Sequence, residues 1–431
     1  MTIGFCARCV SVSWGVSLIL LSAARADNWP QWRGPSYDGV SKETALATEW
    51  SETKNIVWKL ALPGRSGATP AVWGQRIFVN SMDGQDVVLL CIGTDGREIW
   101  KRKLGTAVPR RPGRFRNDEI DQASPSPSTD GKHVFAFAGT GDFACFDFEG
   151  NEVWRFNAEE RYGKFEIQFG MHVTPLLHGD RLYLSLLHSG GWWLVALDKA
   201  TGKDVWKINR TSDARDECEH SYASPCLWTN GQEEYLIVHG CDYATAHRLT
   251  DGGEIWRLAD LNPKSKYNRT LRFVASPVAV SDLIVVPSAK NGPVVGVKPD
   301  AKGTISAGSD FEQWRRPSNT PDVPSPLVHD GIVYLCREMG ALISLDAKSG
   351  KELYQQRLHS ALYRSSPVYA DGKVFCTARD GVVSVIKAGP QFGLLAANQL
   401  PDTFLASPAI SNGRIYLRAF KTLYAIGLER K

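Results

Sequence analysis

The stretch VTPLLHGDRLYLSLLHSGGWWLVALDKATGKDVWKI (Val173–Ile208) contains four short apolar runs separated by turn residues. The runs are Thr174–Leu177, Leu182–Leu187, Trp192–Leu197 and Val205–Ile208. The segments between them read HGD, GG and DKATGK, and their glycines can adopt the positive φ that tight turns require. Four short strands joined by such turns predict one four-stranded antiparallel sheet.

A Ser-Pro or Thr-Pro pair opens this unit and recurs along the chain at intervals of 41 to 55 residues. Each pair is followed by an apolar pair, a polar turn and a β-rich run. A repeat of this length indicates a propeller or a solenoid and takes precedence over other interpretations. The hydroxyl residues of the eight pairs are Thr69, Ser124, Thr174, Ser224, Ser276, Ser325, Ser366 and Ser407.

The fourth run of most units ends on an aromatic residue, after a turn such as TDGREIW, EGNEVW or TDGGEIW. A large flat side chain at a fixed place fills the space between stacked, twisted sheets. Units five (KPDAKGTISAGSDFEQW) and seven (IKAGPQFGLLAANQL) lose the turn motif, so we expect divergent outer edges there. The sixth unit has Tyr354 at this place, and the predicted structural tryptophans are Trp58, Trp100, Trp154, Trp206 and Trp256.

The two ends of the chain have complementary strand counts. The last unit stops after its third strand, Thr422–Ile426, whereas Asn55–Leu62 has the form of a fourth strand and precedes the first unit. Pairing these two segments leaves no mismatched sheet edge. We therefore predict an all-β, eight-bladed propeller of four-stranded antiparallel blades, closed by an N-terminal strand that completes the last blade.

The first 26 residues have the features of a secretory signal. An apolar run, Val10–Leu21, precedes small residues with a cleavage site after Ala26. The run has 12 residues, whereas a membrane span needs about 20. We expect an exported, periplasmic or extracellular chain without a transmembrane span, divided into a signal peptide (1–26), an N-terminal anchor segment (27–54) and the propeller (55–431).

The net charge of the chain bears on whether it binds nucleic acid. The formal charge of +4 falls to +2 without Arg8 and Arg25 of the leader, so nothing favours nucleic acid as a partner. We expect a monomer.

Seven cysteines remain after the leader, and an odd number leaves at least one thiol outside any internal disulfide. One disulfide among Cys218, Cys226 and Cys241 is an open alternative to free thiols.

The segment ALDKATGKDVW (Ala196–Trp206) resembles the repeat of the PQQ-like, or quinoprotein-like, β-propellers, and the resemblance extends over nearly the whole chain after the leader. One kind of member is a dehydrogenase that holds pyrroloquinoline quinone and calcium in the central funnel. The other resembles the bacterial outer-membrane assembly propeller, which binds proteins. The dehydrogenases have a pair of adjacent cysteines over the quinone, and this sequence has none.

The resemblance therefore implies a binding scaffold without a catalytic residue, a metal site or a cofactor, and a quinone- and calcium-dependent dehydrogenase is the alternative. The partner would be a protein or a small polar or glycan ligand at the funnel. Residues just before each Ser/Thr-Pro pair should line its mouth, since loops on a rigid scaffold often bind ligands. The polar candidates are Arg65, Asp118, Glu119, Asp121, Gln122, His172, Glu219, His220, Arg272, Asp322 and Arg364.

Two further segments have alternative interpretations. RRPGRFRND (Arg110–Asp118) is either a docking loop for an acidic partner or a solvated insertion. NWPQWRGPSYDGVS (Asn28–Ser41) is either a ligand site or a structural anchor near the closing seam. We favour the anchor, with Trp29 and Trp32 packed on blade edges and Arg33 bonded to loop carbonyls, because buried tryptophans are mainly packing residues.

Overall fold

The computed structural model describes residues 1–2, 4, 27–107 and 121–428. The predicted signal peptide and the arginine-rich insertion fall almost entirely outside these residues. In the part that is described, the strands form eight antiparallel sheets arranged as the blades of a propeller, and the predicted fold class is confirmed. One of the sheets gains a fifth strand, discussed below.

Blades 1 to 4 follow one another along the chain, each with its first strand at the channel and its last strand at the rim. Their strands are β2 Ala71–Trp73, β3 Arg76–Asp83, β4 Asp86–Gly93 and β5 Glu98–Thr106; β6 Ser128–Thr129, β7 His133–Phe137, β8 Asp142–Asp147 and β9 Glu152–Asn157; β10 Leu176–His178, β11 Arg181–His188, β12 Gly191–Asp198 and β13 Asp204–Asn209; β14 Cys226–Thr229, β15 Glu234–Gly240, β16 Tyr243–His247 and β17 Glu254–Leu258.

Blades 5 to 8 continue the same pattern, except that the outer strand of blade 8 comes from the N-terminal end of the chain. Their strands are β18 Val278–Val280, β19 Leu283–Pro287, β20 Val294–Val297 and β22 Glu312–Arg316; β23 Leu327–His329, β24 Ile332–Cys336, β25 Ala341–Asp346 and β26 Glu352–Arg357; β27 Val368–Ala370, β28 Lys373–Thr377, β29 Val382–Lys387 and β30 Leu394–Gln399; β31 Ala409–Ser411, β32 Arg414–Arg418, β33 Thr422–Ile426 and β1 Ile56–Ala61.

Helical structure is confined to connections on the described chain. An α-helix, α1, covers Ala158–Tyr162, and two 3₁₀ turns cover Asp216–Glu219 and Lys264–Lys266. Asn157 caps α1 by accepting hydrogen bonds from the backbone N–H groups of Glu159 and Glu160. None of the described helices has the length and apolar character that a membrane crossing needs.

The ring closes as the strand count predicts. Strand β1 pairs antiparallel with β33, so that Trp58 lies opposite Ala425 and Ala61 opposite Thr422. The buried guanidinium of Arg418 links this blade to blade 1, because it donates to the carbonyls of Ser66 at 2.7 Å and Gly64 at 2.8 Å. Burial lowers the pKa of Arg418 to about 10, although the carboxylates of Asp121 and Asp402 oppose this shift.

The turn glycine and the tryptophan of the repeat motif act across neighbouring blades. Trp154 of blade 2 donates from Nε1 to the carbonyl of Lys199 in blade 3 at 2.9 Å. Gly202 lies against the same indole at φ +66°, and a Cβ at this glycine would approach the ring to 2.7 Å. A glycine is therefore required both for the turn and for the close approach of the ring. The same hydrogen bond, from an indole Nε1 to a backbone carbonyl, joins Trp58 to Thr94, Trp100 to Phe148, Trp206 to Leu249 and Trp314 to Ala347. Trp314 is not among the structural tryptophans predicted from the sequence.

The two units that lose the motif are compensated in different ways. In blade 5 the altered turn forms an additional strand, β21 Gly303–Ile305, which pairs in parallel with β17 and places Gly303 beside Trp256. In blade 7, Ala396 occupies the tryptophan position, paired with Val385 as Trp206 is with Ala196. Trp50 from the N-terminal segment stacks on Phe375 there, with ring centroids 6.4 Å apart. The expected divergence at both outer edges is confirmed.

A closed ring of hydrogen bonds surrounds the axis. The hydroxyl of each Ser/Thr-Pro pair accepts the backbone N–H of the corresponding residue in the preceding blade, at 2.9 to 3.1 Å. In blade 2 this position is Ser126, so the assignment of Ser124 was wrong by two residues. The tandem SPSP sequence offers two equivalent pairs, and only the strand register selects between them. We call Thr69, Ser126, Thr174, Ser224, Ser276, Ser325, Ser366 and Ser407 the hydroxyl ring.

The cysteines of the described chain are free and buried. The Cys218 thiol donates to the carbonyl of Asn268 at 3.1 Å, and the Cys241 thiol donates to the carbonyl of Glu219 at 3.2 Å. Burial raises the pKa of Cys226 and of Cys241 to about 12. The structure therefore forms no disulfide among the three clustered cysteines, which pack as small apolar side chains.

Candidate functional site: the central channel

A cavity of about 240 Å³ lies on the propeller axis and is bounded by all eight residues of the hydroxyl ring. The first strand of every blade begins at this ring, so the blades converge on the cavity. Trp32 closes one end, and aromatic, apolar and charged residues surround the other. Among the described residues, the channel therefore combines neutral hydrogen-bonding groups at its middle with side chains of different character at each end.

The closed end is built by the N-terminal segment, residues 27–50. Trp29 exchanges backbone hydrogen bonds with Val72 of blade 1 at 2.9 and 2.7 Å, and its side chain is only 1% exposed. Gln31 both donates to the carbonyl of Leu177 and accepts its N–H in blade 3. Glu43 accepts the N–H groups of Asn412 and Gly413 in blade 8. The segment thus crosses the propeller from one side of the ring to the other.

Arg33 is the central anchor of this closed end. Its guanidinium donates to the carbonyls of Pro326 at 2.6 Å and Pro367 at 2.9 Å, in two different blades, and to that of Asp38. The side chain is buried, and this burial lowers its pKa to about 10. The expected bonding of Arg33 to loop carbonyls and the expected packing of Trp29 are confirmed. Trp32 differs, because it faces the cavity and does not cap a blade edge.

The open end contains three arginines: Arg272, Arg364 and Arg379. Arg272 stacks its guanidinium over the ring of Phe169 at 4.7 Å and lies 3.5 Å from a carboxylate oxygen of Glu217. Guanidinium groups present donors in a fixed plane that matches carboxylate, sulfate and phosphate. The described wall at this end of the channel therefore concentrates guanidinium groups.

The acidic and imidazole groups at the open end are held by local hydrogen bonds. Asp121 accepts the N–H of Gly67 at 2.7 Å and of Ala123 at 2.9 Å, and the hydroxyl of Ser124 at 3.0 Å. His172 contacts the carbonyl of Phe169 through Nε2 at 2.8 Å. Asp121 thus joins the first two blades, and its charge is met by three donors.

The structure brings together four of the funnel candidates, Asp121, His172, Arg272 and Arg364, on the channel wall. The others in the described chain lie in the surrounding loops. The carbonyls of Arg65, Gln122 and Glu219 accept bonds from Met82, Gly139 and Cys241. His220 lies 3.0 Å from the hydroxyl of Ser189, and Asp322 accepts the N–H of Lys290. Asp118, Glu119 and the insertion Arg110–Asp118 lie outside the described residues.

Sequence reasoning missed several channel residues. Arg379 lies in the hairpin between β28 and β29, where its N–H donates to the carbonyl of Leu362 at 2.7 Å. Such hairpins reach the same mouth as the loops before the Ser/Thr-Pro pairs, a consequence of antiparallel order that would have pointed to Arg379. Phe169 and Tyr222 precede the third and fourth pairs but are aromatic, and the prediction considered only charged side chains, glutamine and histidine there.

The described channel residues offer few oxygen ligands for the calcium that the dehydrogenases hold. Calcium takes roughly six to eight oxygen ligands, several of them carboxylates. Asp121 is the one acidic residue on the described channel wall, and both of its oxygens already accept hydrogen bonds. Across residues 27–107 and 121–428, no cluster of three or more His, Cys, Asp or Glu side chains is arranged to hold a metal ion.

Comparisons with known proteins show one repeat family, and the similar solved structures come from two functional classes. The profile of the family described as outer membrane protein assembly factor BamB matches residues 85–317 and 301–389. BamB from Moraxella catarrhalis is similar in structure, with a TM-score of 0.61 at 13% identity over 87% of this chain and 98% of that chain. A comparison with curated proteins finds no match.

Two dehydrogenases of known structure are also similar, with TM-scores above and below that of BamB. The quinohemoprotein alcohol dehydrogenase from Comamonas testosteroni has a TM-score of 0.68 at 14% identity, over 94% of this chain and 81% of that chain. A europium-containing methanol dehydrogenase has a TM-score of 0.56 at 13% identity, over 92% and 90% of the two chains. At such identities the likeness shows the propeller fold and leaves the choice of function to the residues of the site.

Proposed function

We propose that this chain, which belongs to the PQQ-like propeller family described as outer membrane protein assembly factor BamB, is an exported scaffold. In this proposal the scaffold has no catalysis of its own. The partner is a protein that docks on the open end of the channel. The family match and the leader-like first 26 residues support an exported location. The similarity to BamB supports a protein as the partner.

The observation that carries this proposal is the difference between the two faces of the propeller. One face is covered by residues 27–50, whose hydrogen bonds extend to blades 1, 3, 6, 7 and 8. Among the described residues, the other face presents the channel mouth and the hairpins around it. Loops of a rigid scaffold that surround an open site are where binding residues concentrate. The open face is therefore the surface available to a partner.

Charged side chains surround the mouth on this face. Arg269 pairs with Asp216 at 2.6 Å, and Lys290 lies 3.7 Å from Glu217, between the loops of blades 3 to 5. Exposed ion pairs of this kind contribute little to stability. They are, however, able to select and orient a partner of complementary charge. The face thus has the mixed polar rim that a transient interface needs.

Site-specific photo-crosslinking in the envelope of cells that produce the protein tests this proposal. One variant carries the crosslinker at Met339, which is 59% exposed in the hairpin between β24 and β25 on the open face. The matched control carries it at Gln232, exposed in the hairpin between β14 and β15 on the covered face. We expect a discrete protein adduct from Met339 that is weak or missing from Gln232. Equal adducts from both positions would refute the assignment of the face.

The competing dehydrogenase function has a separate test. Titration of the purified chain with pyrroloquinoline quinone and calcium, followed by dye-linked oxidation of alcohols, measures it directly. Because both oxygens of the Asp121 carboxylate already accept hydrogen bonds, we expect no calcium-dependent quinone binding. Saturable binding accompanied by alcohol oxidation would replace the scaffold proposal with the enzymatic one.

A further inference from the structure

We propose that the outer edge of blade 7 binds an extended, uncharged segment of a partner protein, which pairs in parallel with β30 as a fifth strand. This edge lies at the rim of the propeller, away from the channel and its mouth. The inference does not require that a partner docks on the open face. Three features support it: the composition of β30, its unpaired backbone, and the additional strand that blade 4 already has at the equivalent edge.

Strand β30, with the sequence LLAANQ, differs from the other outer strands in charge and in exposure. Every other outer strand that the structure describes contains a lysine or an arginine, whereas β30 contains no charged residue. Leu394 and Leu395 are 49% and 43% exposed, and no other two consecutive large apolar side chains in the described chain are exposed to this extent. Since charged residues on an edge strand oppose pairing with another chain, β30 lacks the usual protection.

The backbone of β30 is unpaired on its outer side. It is the last strand of its sheet, and beyond the pairing with β29 no hydrogen bond from the described residues reaches its main chain. In blade 1, by contrast, the outer-strand carbonyls of Lys103 and Leu104 accept hydrogen bonds from Arg155 of blade 2. An unpaired edge presents a row of N–H and C=O groups with which an extended segment can pair.

Blade 4 shows what an outer edge of this propeller accepts. Its outer strand β17 pairs in parallel with β21, so that Trp256 lies beside Gly303 and Leu258 beside Ile305. Ile305 is fully buried there, in an apolar cluster that includes Trp256 and Leu258. The sequence of β21 is Gly-Thr-Ile, without a charge. The occupant that fits such an edge is therefore a short, extended, uncharged segment in parallel orientation.

The bulges of the two blades indicate which side chains of β30 would meet the added segment. Leu395 is the bulged residue of β30, at the position of Ile255 in blade 4, where Ile255 is partly buried against the apolar cluster. Ala397 takes the position of Arg257, so a small apolar side chain replaces a charged one. An ionised side chain of the segment would meet Leu394 and Leu395 without an opposite charge in β30, which disfavours charged segments.

Fluorescence anisotropy on the purified full chain tests the proposal. The probe is the peptide Gly-Ser-Val-Thr-Ile-Ala-Val-Thr-Gly-Ser, capped at both ends and labelled with a neutral fluorophore, because its β-branched residues favour an extended backbone. The control peptide has proline in place of the isoleucine and the alanine, since proline cannot donate a ladder hydrogen bond. We expect saturable binding of the probe and an affinity for the control peptide that is lower by about tenfold or more.

Variants of the edge assign the binding to β30. Leu395→Lys places a charge on the edge and should weaken binding of the probe by about tenfold or more. The matched control is Val153→Lys, because Val153 is the bulged residue of blade 2, is 46% exposed and lies on a strand that already contains Glu152 and Arg155. It should bind the probe within about twofold of the parent. Thermal melting confirms that each variant is folded, and Ala397→Lys serves if Leu395→Lys is not.

Disulfide trapping measures the direction of the added strand. Parallel pairing brings like ends of two strands together. A probe with an N-terminal cysteine should therefore react with Leu394→Cys, and a probe with a C-terminal cysteine should react with Gln399→Cys. The cysteines of the described chain are buried, so they do not compete.

The inference would be overturned by a lack of saturable binding, by equal affinity for the proline peptide, by trapping at the opposite ends, or by a Leu395→Lys affinity within about twofold of the parent. Sedimentation velocity supplies a further test, since self-association of the parent that Leu395→Lys abolishes would make a second copy the occupant. These measurements use the isolated chain and a peptide. Their failure is therefore distinguishable from a failure of the crosslinking test at Met339, which reports on the open face.

Discussion

Both ends of the central channel contain arginine, but the arginine side chains at the two ends have different kinds of partner. At the closed end, Arg33 is only 4% exposed and donates to backbone carbonyls of blades 6 and 7. At the open end, Arg272 stacks on Phe169 and shares its charge with Glu217 at 3.5 Å. Arg33 connects two blades through their backbone carbonyls, whereas Arg272 lines the wall of the cavity.

This difference shows how to separate structural from functional arginines within one site. A guanidinium whose donors reach main-chain carbonyls of separate elements is part of the scaffold, because its loss leaves those carbonyls without donors. The guanidinium of Arg272 at the cavity wall contacts the side chains of Phe169 and Glu217 instead of main-chain carbonyls of separate blades. The same distinction applies to Trp29, which is buried between blades, and Trp32, which closes the cavity.

Removal of the whole closed end is expected to have the largest effect. A variant lacking residues 28–62 loses strand β1, exposes the edge of β33 and opens the apolar cluster between blades 7, 8 and 1. We expect it to lose cooperative thermal unfolding, measured by calorimetry. A variant lacking only residues 28–54 keeps β1 and should retain a transition at lower temperature. A transition as sharp as that of the parent after the longer deletion would disprove closure by β1.

Single substitutions at each end test the comparison directly. Arg33→Met leaves the carbonyls of Pro326 and Pro367 without their donors, so the free energy of unfolding should fall by about 3 kcal/mol. Arg272→Met at the open end removes a ring contact and an ion pair at 3.5 Å, so it should change it by about 1 kcal/mol or less. Denaturant titrations measure both. If Arg272→Met destabilises the protein as much as Arg33→Met, the open end is part of the scaffold as well.

The hydroxyl ring lies between the two ends, and the SPSP sequence provides a matched pair of variants. Ser126→Ala removes the acceptor of the buried Thr69 N–H and should cost about 1 to 2 kcal/mol of unfolding free energy. Ser124→Ala removes only a hydroxyl that donates to Asp121, and it should cost about half as much or less. Chemical denaturation of both variants is the measurement. The reverse order would show that the register of blade 2 is that of Ser124.

An effect confined to acidic pH is expected near the open end of blade 4. His239 is fully buried and packs on Phe273 at 4.5 Å, and burial lowers its pKa to about 3. Because this value lies below that of an unfolded histidine, about 6.5, its contribution to stability is complete above pH 6.5 and is lost as the pH falls. The unfolded chain binds the extra proton throughout this interval.

The variant His239→Leu removes this proton uptake. Between pH 4 and 6, the slope of the unfolding free energy against pH should decrease by about 1.4 kcal/mol per pH unit, which corresponds to one proton. Denaturant titrations at several pH values measure the slope. His188 and His247, whose pKa values burial lowers to about 4, keep their contributions in the variant. An unchanged slope would mean that His239 is charged in the folded protein.

Much of the fold could be predicted because the repeat encodes local rules. Turn glycines, alternating apolar strands and a tryptophan at one place in each unit are short-range signals, and each indicates the same blade. The closing strand could be predicted from a mismatch in strand count. The use of Ser126 in place of Ser124 could not, since both pairs satisfy the local pattern and only the register with Thr69 and Thr174 distinguishes them.

The candidate site was predicted less completely. The rule that residues before each Ser/Thr-Pro pair face the funnel found Asp121, His172, Arg272 and Arg364, but it also included residues whose side chains lie in the surrounding loops. It missed Arg379, which comes from a hairpin inside a blade. A loop's position in the sequence specifies which face it reaches, whereas the direction of each side chain depends on the neighbouring blade.

The sequence alone determined the class of fold, the number of blades and the closure of the ring, because these depend on periodic patterns and on the pairing of whole strands. Only the tertiary structure showed that Trp50 fills the place of the tryptophan that blade 7 lacks, and that Trp32 and Arg33 close one end of the channel. Those contacts join residues more than 290 positions apart. No local pattern can specify them, since they exist only after the blades have come together around one axis.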